Sequence, residues 1–404
     1  MSITPIKISE NLFLAPFVTF EISKTKAIYN WFYYKEAFSP ELVEWAITRE
    51  KITEQKENVL IADPFCGIGT TVLRAKVQGL KAIGLDASPL AVFISQVKTR
   101  DYSKDDISNA RQFVEKVFEK LQKNRNNELK ETKGENRFKW HFELFDPRAC
   151  IPKSNLNIIE YLREEIENLD EKVGGLMLLA LLSILPQCSL IVKDGGVLKI
   201  DRSKRAIPVK DAFRKKVKNM LTDLEGNSFS GSKPEIHLDD ARICQSIKDE
   251  SVDLIVTSPP YLNNIDYSKV YGLELSLLGM SKEITKETRT QMVRSFITLD
   301  KKIEKMPPEV GEIGEKIPII GTYFYDMELT LKQIHRILKP GKACYFNVAN
   351  SVIYETHVLV DEVLAEMAER IGFKEVEIIV AANRLADVKP KKINVRESII
   401  VMRK

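Results

Sequence analysis

Val59-Leu-Ile-Ala-Asp-Pro-Phe-Cys-Gly-Ile-Gly-Thr-Thr-Val-Leu73 runs as a short apolar strand into a glycine-containing turn, and a helical pattern follows through Val72, Leu73, Ala75 and Val77. Gly67 and Gly69 let the backbone turn tightly and approach a ligand closely. The helix N-terminus behind them favours anionic groups. A second strand, Ala82-Ile-Gly-Leu, ends at Asp86, about 20 residues on, where a carboxylate can bind ribose hydroxyls. A dinucleotide site is the competing reading. Against it, Val72 stands where a third glycine would be, and Asp63-Pro64-Phe65 is not a dinucleotide signature.

A second stretch has the same shape. Ser251-Val-Asp-Leu-Ile-Val-Thr-Ser-Pro-Pro-Tyr261 begins as an apolar, β-branched run, the pattern of a buried strand. Pro259 and Pro260 cannot donate to a sheet ladder and push the residues before them out of helical space, so the chain leaves the sheet stiff and extended. A strand end carrying Ser258, the Pro259 carbonyl and the Tyr261 ring is suited to accept hydrogens from a planar amine while stacking on its base. An ordinary proline-rich loop after a strand fits these residues equally well.

Four segments together carry a resemblance. Asp63-Pro-Phe-Cys-Gly-Ile-Gly-Thr-Thr71 resembles the S-adenosylmethionine motif of amino-group DNA methyltransferases, and Thr257-Ser-Pro-Pro-Tyr261 resembles their catalytic motif in the form common among cytosine-N4 enzymes. His237-Leu-Asp-Asp-Ala-Arg242 is similar to the family's Gly-Asp-Ala/Ser-Arg, with Asp240 in the aspartate's place and Asp239 replacing the usual glycine. Trp31-Phe-Tyr-Tyr-Lys-Glu-Ala-Phe-Ser-Pro-Glu-Leu-Val43 is similar to the segment that closes over the cofactor. The resemblance spans about residues 27–100 and 235–280.

It implies an α/β fold: a Rossmann-like class I methyltransferase sheet with an antiparallel C-terminal edge, plus a mainly helical insertion. It implies S-adenosyl-L-methionine as cofactor, held by Lys35, Phe38, Asp63, Phe65, Cys66, Gly67, Gly69, Thr70, Thr71, Asp86 and Asp240. The catalytic group is then Ser258, Pro259, Pro260 and Tyr261, with double-stranded DNA as substrate and a cognate restriction endonuclease as possible partner. Trp31, Phe32 and Tyr34 are read as packing.

Composition sets the outer limits. The 404 residues, 44% of them hydrophobic, are ample for a core. A signal peptide and an apolar run of membrane length are both missing, so the expectation is a cytoplasmic protein without a membrane partner. Val173-Gly-Gly-Leu-Met-Leu-Leu-Ala-Leu-Leu-Ser-Ile-Leu185 is too short to span and reads as a buried helix. The five cysteines, Cys66, Cys150, Cys188, Cys244 and Cys344, show neither CxxC spacing nor histidine pairing, so neither a metal site nor a disulfide framework is expected. A net charge of +4 says little about nucleic acid; clustering matters more.

The chain divides on this reading into 1–100, with the cofactor motifs, a helical insertion 101–230 that serves DNA recognition, and 231–404, with the catalytic motif. Asn11-Leu-Phe-Leu-Ala15 is strand-like, and Ser39-Pro40 opens a helix. Helices are expected over 105–123, 154–168 and 172–189. A polar loop is expected over 123–136, and a hairpin over 189–200. The segment Lys193–Lys218 is the one convincing basic cluster; Lys199, Arg202, Lys204, Arg205, Arg214 and Lys215 are its candidate phosphate contacts. A solvated charged face is the alternative. Asn263, Asn264, Asp266 and Tyr267 are candidates for the base pocket, as are Asn350 and Ser351. A charged second insertion is expected over 281–315. The core then resumes with a helix ending at Lys339-Pro340-Gly341, a strand over 343–348, a helix over 357–371, and strands near 373–380 and 396–403 that form the antiparallel edge.

The expected chemistry is direct methyl transfer to the exocyclic amine of a base flipped out of the duplex, with Tyr261 stacked on it. Ser258 in place of an aspartate tilts the target toward cytosine N4; adenine N6 and an RNA base are the alternatives. Cytosine-C5 methylation would need a thiolate nucleophile, and Pro186-Gln187-Cys188 lacks the Pro-Cys order of that class.

Overall fold

The computed structural model describes residues 6–54, 58–123, 146–194, 197–227, 231–296, 303, 305–388 and 391–404. Its strands are β1 (Lys7–Glu10), β2 (Leu60–Asp63), β3 (Lys81–Asp86), β4 (Ile191–Asp194), β5 (Val197–Ile200), β6 (Glu235–Leu238), β7 (Val252–Thr257), β8 (Leu338–Ala349), β9 (Ser351–Ile353), β10 (Thr356–Val358), β11 (Lys374–Val388) and β12 (Lys391–Arg403). Eight of them form one sheet in the order β1-β11-β12-β8-β7-β2-β3-β6. From β6 to β8 every pairing is parallel, whereas β12 is antiparallel to both β8 and β11. This is the strand order of the Rossmann-like methyltransferase sheet. The chain reverses its winding between β2 and β7, and ligands of open α/β sheets bind at such a switch point, beyond the strands' carboxyl ends.

Both faces are covered. Helices α1 (Pro40–Arg49) and α2 (Thr70–Val77) pack on one side and α3 (Pro89–Thr99) follows β3. After the insertion helices α4 (Lys104–Lys123), α5 (Pro147–Cys150), α6 (Lys153–Glu167), α7 (Glu171–Cys188) and α8 (Val209–Gly226) come α9 (Tyr267–Val270), α10 (Gly272–Leu277), α11 (Lys282–Gln291), α12 (Gly311–Lys316), α13 (Pro318–Ile337) and α14 (Val360–Ile371). Strand β8 shows how alternation sorts the layers. Cys344, Phe346 and Val348 enter the core shared with α13 and α14, while Ala343 and Tyr345 enter the core shared with α1 and α2. A third core joins the insertion to the sheet domain: Leu90, Ile94 and Val97 of α3 pack with Val117, Ile159, Leu179 and Phe213. Helix α7 is the one described helix long and apolar enough to cross a membrane, and 67% of it is buried inside the fold.

Several elements differ from the sequence reading. The strand near the N-terminus is Lys7–Glu10, and Leu12–Leu14 forms a 3-10 turn that drops Leu14 into the core. Because β1 pairs with β11, the β11–β12 pair is not the sheet edge. Helix α13 stops at Ile337, and Lys339-Pro340-Gly341 already belongs to β8, whose first residue, Leu338, pairs with Val252. Pro340 is tolerated at the start of a strand, where the ladder needs no donor. Strands β11 and β12 extend as a hairpin well beyond the expected limits, with a register shift between Val380 and Ala382. Of the polar loop expected over 123–136, residues 124–136 lie outside the described residues.

Candidate active site

The two motif strands, β2 and β7, are sheet neighbours, and three side chains stitch their tips together. Thr257 Oγ1 donates to Asp63 Oδ1 at 2.6 Å, and Phe65 N donates to the same oxygen at 3.1 Å. From the first turn of α2, Thr71 Oγ1 donates to the Val256 carbonyl at 3.0 Å. Both loops therefore leave the sheet at a fixed spacing. Beyond them opens one cavity of about 450 Å³.

The glycine loop and its surroundings supply Lys35, Phe38, Pro64, Phe65, Cys66, Gly67, Thr70, Asp86, Leu90 and Asp240 to the cavity lining. Asp86 accepts from Gly67 N and from Ser88 N, both at 2.8 Å, so the carboxylate itself shapes the turn. Burial pushes its pKa up to about 6. Gly67 and Gly69 adopt φ of +50° and +82°. A Cβ at Gly69 would stand 2.8 Å from Ser95 Oγ, whereas a Cβ at Gly67 would meet nothing closer than 3.9 Å. The first glycine lines the cavity with room for an ordinary contact, and the second is packed on α3. Asp240 is paired with Arg242 at 2.6 Å, and Arg242 reaches on to Asp326. The same cavity is lined by Ser258, Pro259, Pro260 and Tyr261, and by Asn263, Ile265, Tyr267, Val293 and Phe296.

Four of the expected residues turn out to play structural parts. Asp63, Gly69 and Thr71 do not line the cavity: Asp63 is buried against Thr257, Gly69 against Ser95, and Thr71 under β7. They shape the loop from behind. Lys204 turns inward and donates to the Pro186 and Ile191 carbonyls, so it ties the β4–β5 hairpin to the end of α7. The basic segment is accordingly not one continuous stripe. Lys193 lies 3.8 Å from the Tyr271 ring centre, and Lys216 donates to the Asn30 carbonyl. Arg214 packs over Phe118, while Lys199, Arg202, Arg205 and Lys215 remain on the exposed side. Tyr34, read as packing, also lines the cavity and stacks on Tyr271 at 4.7 Å. Asn350 faces away, accepting from Asp361 N. Cys188 is fully buried, and burial pushes its thiol up to about 12, which leaves it no nucleophilic part.

The chain is 28% identical to the Type II methyltransferase M.AvaI of Nostoc sp., over 90% of its own length and 82% of that protein. It is 24% identical to the Type II methyltransferase M.BsoBI of Geobacillus stearothermophilus, over 91% and 82%. Its relatives are Type II methyltransferases. A shorter match, 35% identical over 82 residues, is to M.MjaII of Methanocaldococcus jannaschii, covering 20% of this chain and 15% of that one. No family model matches the chain. A crystal structure of a SAM-dependent methyltransferase from Methanosarcina mazei aligns over 88% of this chain and 96% of that one, at 10% identity and a TM-score of 0.30. So loose an overlap adds nothing to the strand order described above.

Three residues around the Tyr261 hydroxyl have no motif to announce them. Asn347 on β8 and Glu397 on β12 both bond the Tyr261 hydroxyl, and Arg384 on β11 pairs with Glu397. Glu397 and Arg384 belong to the cavity wall. The available signal is Glu397 itself, a charge at the head of the apolar run Ser398-Ile-Ile-Val-Met402.

Proposed function

We propose that the chain is a site-specific DNA methyltransferase that moves a methyl group from S-adenosylmethionine to the exocyclic amine of a flipped base, cytosine N4, within a restriction–modification system. The observation that carries this is that the glycine loop and Ser258-Pro-Pro-Tyr261, which follow adjacent strands, line one cavity. The relatives' names support DNA modification; the choice of N4 rests on the resemblance of the Ser258 motif.

The lining around the glycine loop suits the cofactor: Asp86 offers carboxylate oxygens for ribose hydroxyls, Phe38, Phe65 and Leu90 offer apolar surface, and Gly67 leaves room for close approach. Bound there, S-adenosylmethionine supplies an electrophilic sulfonium methyl. The protein's own part is to ready the amine. An exocyclic amine is a poor nucleophile because its lone pair is delocalised into the ring. The Ser258 hydroxyl gives its hydrogen to the Asn347 carbonyl at 3.1 Å and so presents lone pairs to the cavity. With the Pro259 carbonyl beside it, it accepts the amine hydrogens and favours a pyramidal nitrogen with its lone pair free for the methyl. Tyr261 supplies the ring on which the extruded base stacks. Positioning of this kind accounts for most of the acceleration.

The test is transfer of labelled methyl to duplex DNA, followed by nucleoside analysis. The expected product is N4-methylcytosine. N6-methyladenine would keep the site and change the target; label in RNA with none in DNA would overturn the reading.

A further inference from the structure

We propose that Glu397, held by Arg384, is a positioning residue that anchors the Tyr261 hydroxyl and thereby sets the plane on which the target base stacks. This rests on the functional reading above and adds a residue to it. The Tyr261 hydroxyl donates to Glu397 Oε1 at 2.8 Å and accepts from Asn347 Nδ2 at 2.8 Å, with Ser258 Oγ 3.5 Å away. Glu397 is only 4% exposed. Burying a carboxylate is costly unless it is paired and hydrogen-bonded. Here Arg384 takes its second oxygen, and both residues border the cavity.

If position 261 needed only an aromatic face, a phenylalanine would fill it and no charge would have to be buried behind it. The protein instead places a carboxylate from β12 and an amide from β8 on one hydroxyl, and a guanidinium from β11 on the carboxylate, so the ring is braced from three strands. Anchoring at the hydroxyl fixes the tilt of the ring, which stacking alone leaves soft. Burial beside Glu397 also holds the hydroxyl's pKa well above the ordinary tyrosine value, so it stays a donor throughout the working range.

The experiment is a double-mutant cycle of Tyr261→Phe and Glu397→Gln, read as single-turnover methyl transfer to duplex DNA, with cofactor affinity measured by calorimetry and folding by thermal melting. Each single change is expected to slow transfer about tenfold or more while leaving cofactor affinity within about twofold. The double variant should be no slower than the worse single one, because Tyr261→Phe removes the hydrogen bond that Glu397→Gln weakens by exchanging a charged acceptor paired with Arg384 for a neutral amide. Wild-type rates in Tyr261→Phe or Glu397→Gln would overturn the proposal, as would singles that simply multiply in the double variant. So would cofactor affinity falling in step with rate, which would mark a general structural role. Should Glu397→Gln fail to fold, Tyr261→Phe alone decides, since it removes one oxygen and keeps the ring. A wild-type chain that binds cofactor yet methylates no DNA would overturn the functional reading itself, and this inference with it.

Discussion

At the scale of single residues, the carboxylates of the site do different work, and mutation separates them. Asp86 faces the cavity, so Asp86→Ala is expected to weaken cofactor binding about tenfold or more and to leave turnover at saturation much less affected. Tyr261→Ala should show the reverse split, losing turnover and keeping cofactor affinity; titration calorimetry and steady-state kinetics on both variants check this. Equal effects of the two changes on affinity would contradict the assignment. Asp63 is silent in such an assay but visible in stability. Burial raises its pKa from the ordinary 3.8 to about 7, partly offset by donation from Thr257 and Phe65 N. The folded chain therefore binds this proton more tightly than the unfolded one, and between about pH 4 and 7 stability falls as pH rises. Asp63→Asn keeps an Oδ1 acceptor and removes the titration. Over that window the wild-type melting temperature should fall relative to that of Asp63→Asn; parallel melting curves would show that Asp63 does not titrate there.

At the scale of elements, the two motif strands and their loops were legible because each obeys a local rule. A strand followed by Gly67 and Gly69 at positive φ, or by Pro259-Pro260, has few alternatives. The insertion helices were legible from their periodicity, as α4, α6 and α7 attest. The role of its basic side chains was not, because charge in a sequence does not say which way it points. Lys204 is the clearest case, and it yields a prediction. Lys204→Ala removes two charge-assisted hydrogen bonds to part-buried carbonyls and is expected to cost about 1–3 kcal/mol of stability, measured by denaturant unfolding. A neutral effect would return Lys204 to the surface set.

At the scale of the whole molecule, a net charge of +4 leaves affinity for a polyanion to local patches. The exposed candidates are Lys199, Arg202, Arg205 and Lys215, arranged around the hairpin and the start of α8. Removing a side chain that neutralises one phosphate should flatten the dependence of log affinity on log salt by about 0.9. Substituting Arg202, Arg205 and Lys215 together is therefore expected to reduce that slope by roughly 2–3, whereas Lys204→Ala leaves it unchanged. A salt titration of DNA binding checks both; an unaltered slope in the triple variant would move the DNA interface elsewhere. The sequence by itself determined the local geometry of the two strand tips and the class of sheet that bears them, because turns, caps and apolar alternation depend on neighbours a few residues apart. Only the tertiary structure decided which carboxylate faces the cavity, which lysine faces inward, and that Glu397 stands behind a tyrosine 136 residues earlier in the chain. Those outcomes depend on strand order and register, through which distant segments become neighbours across the sheet.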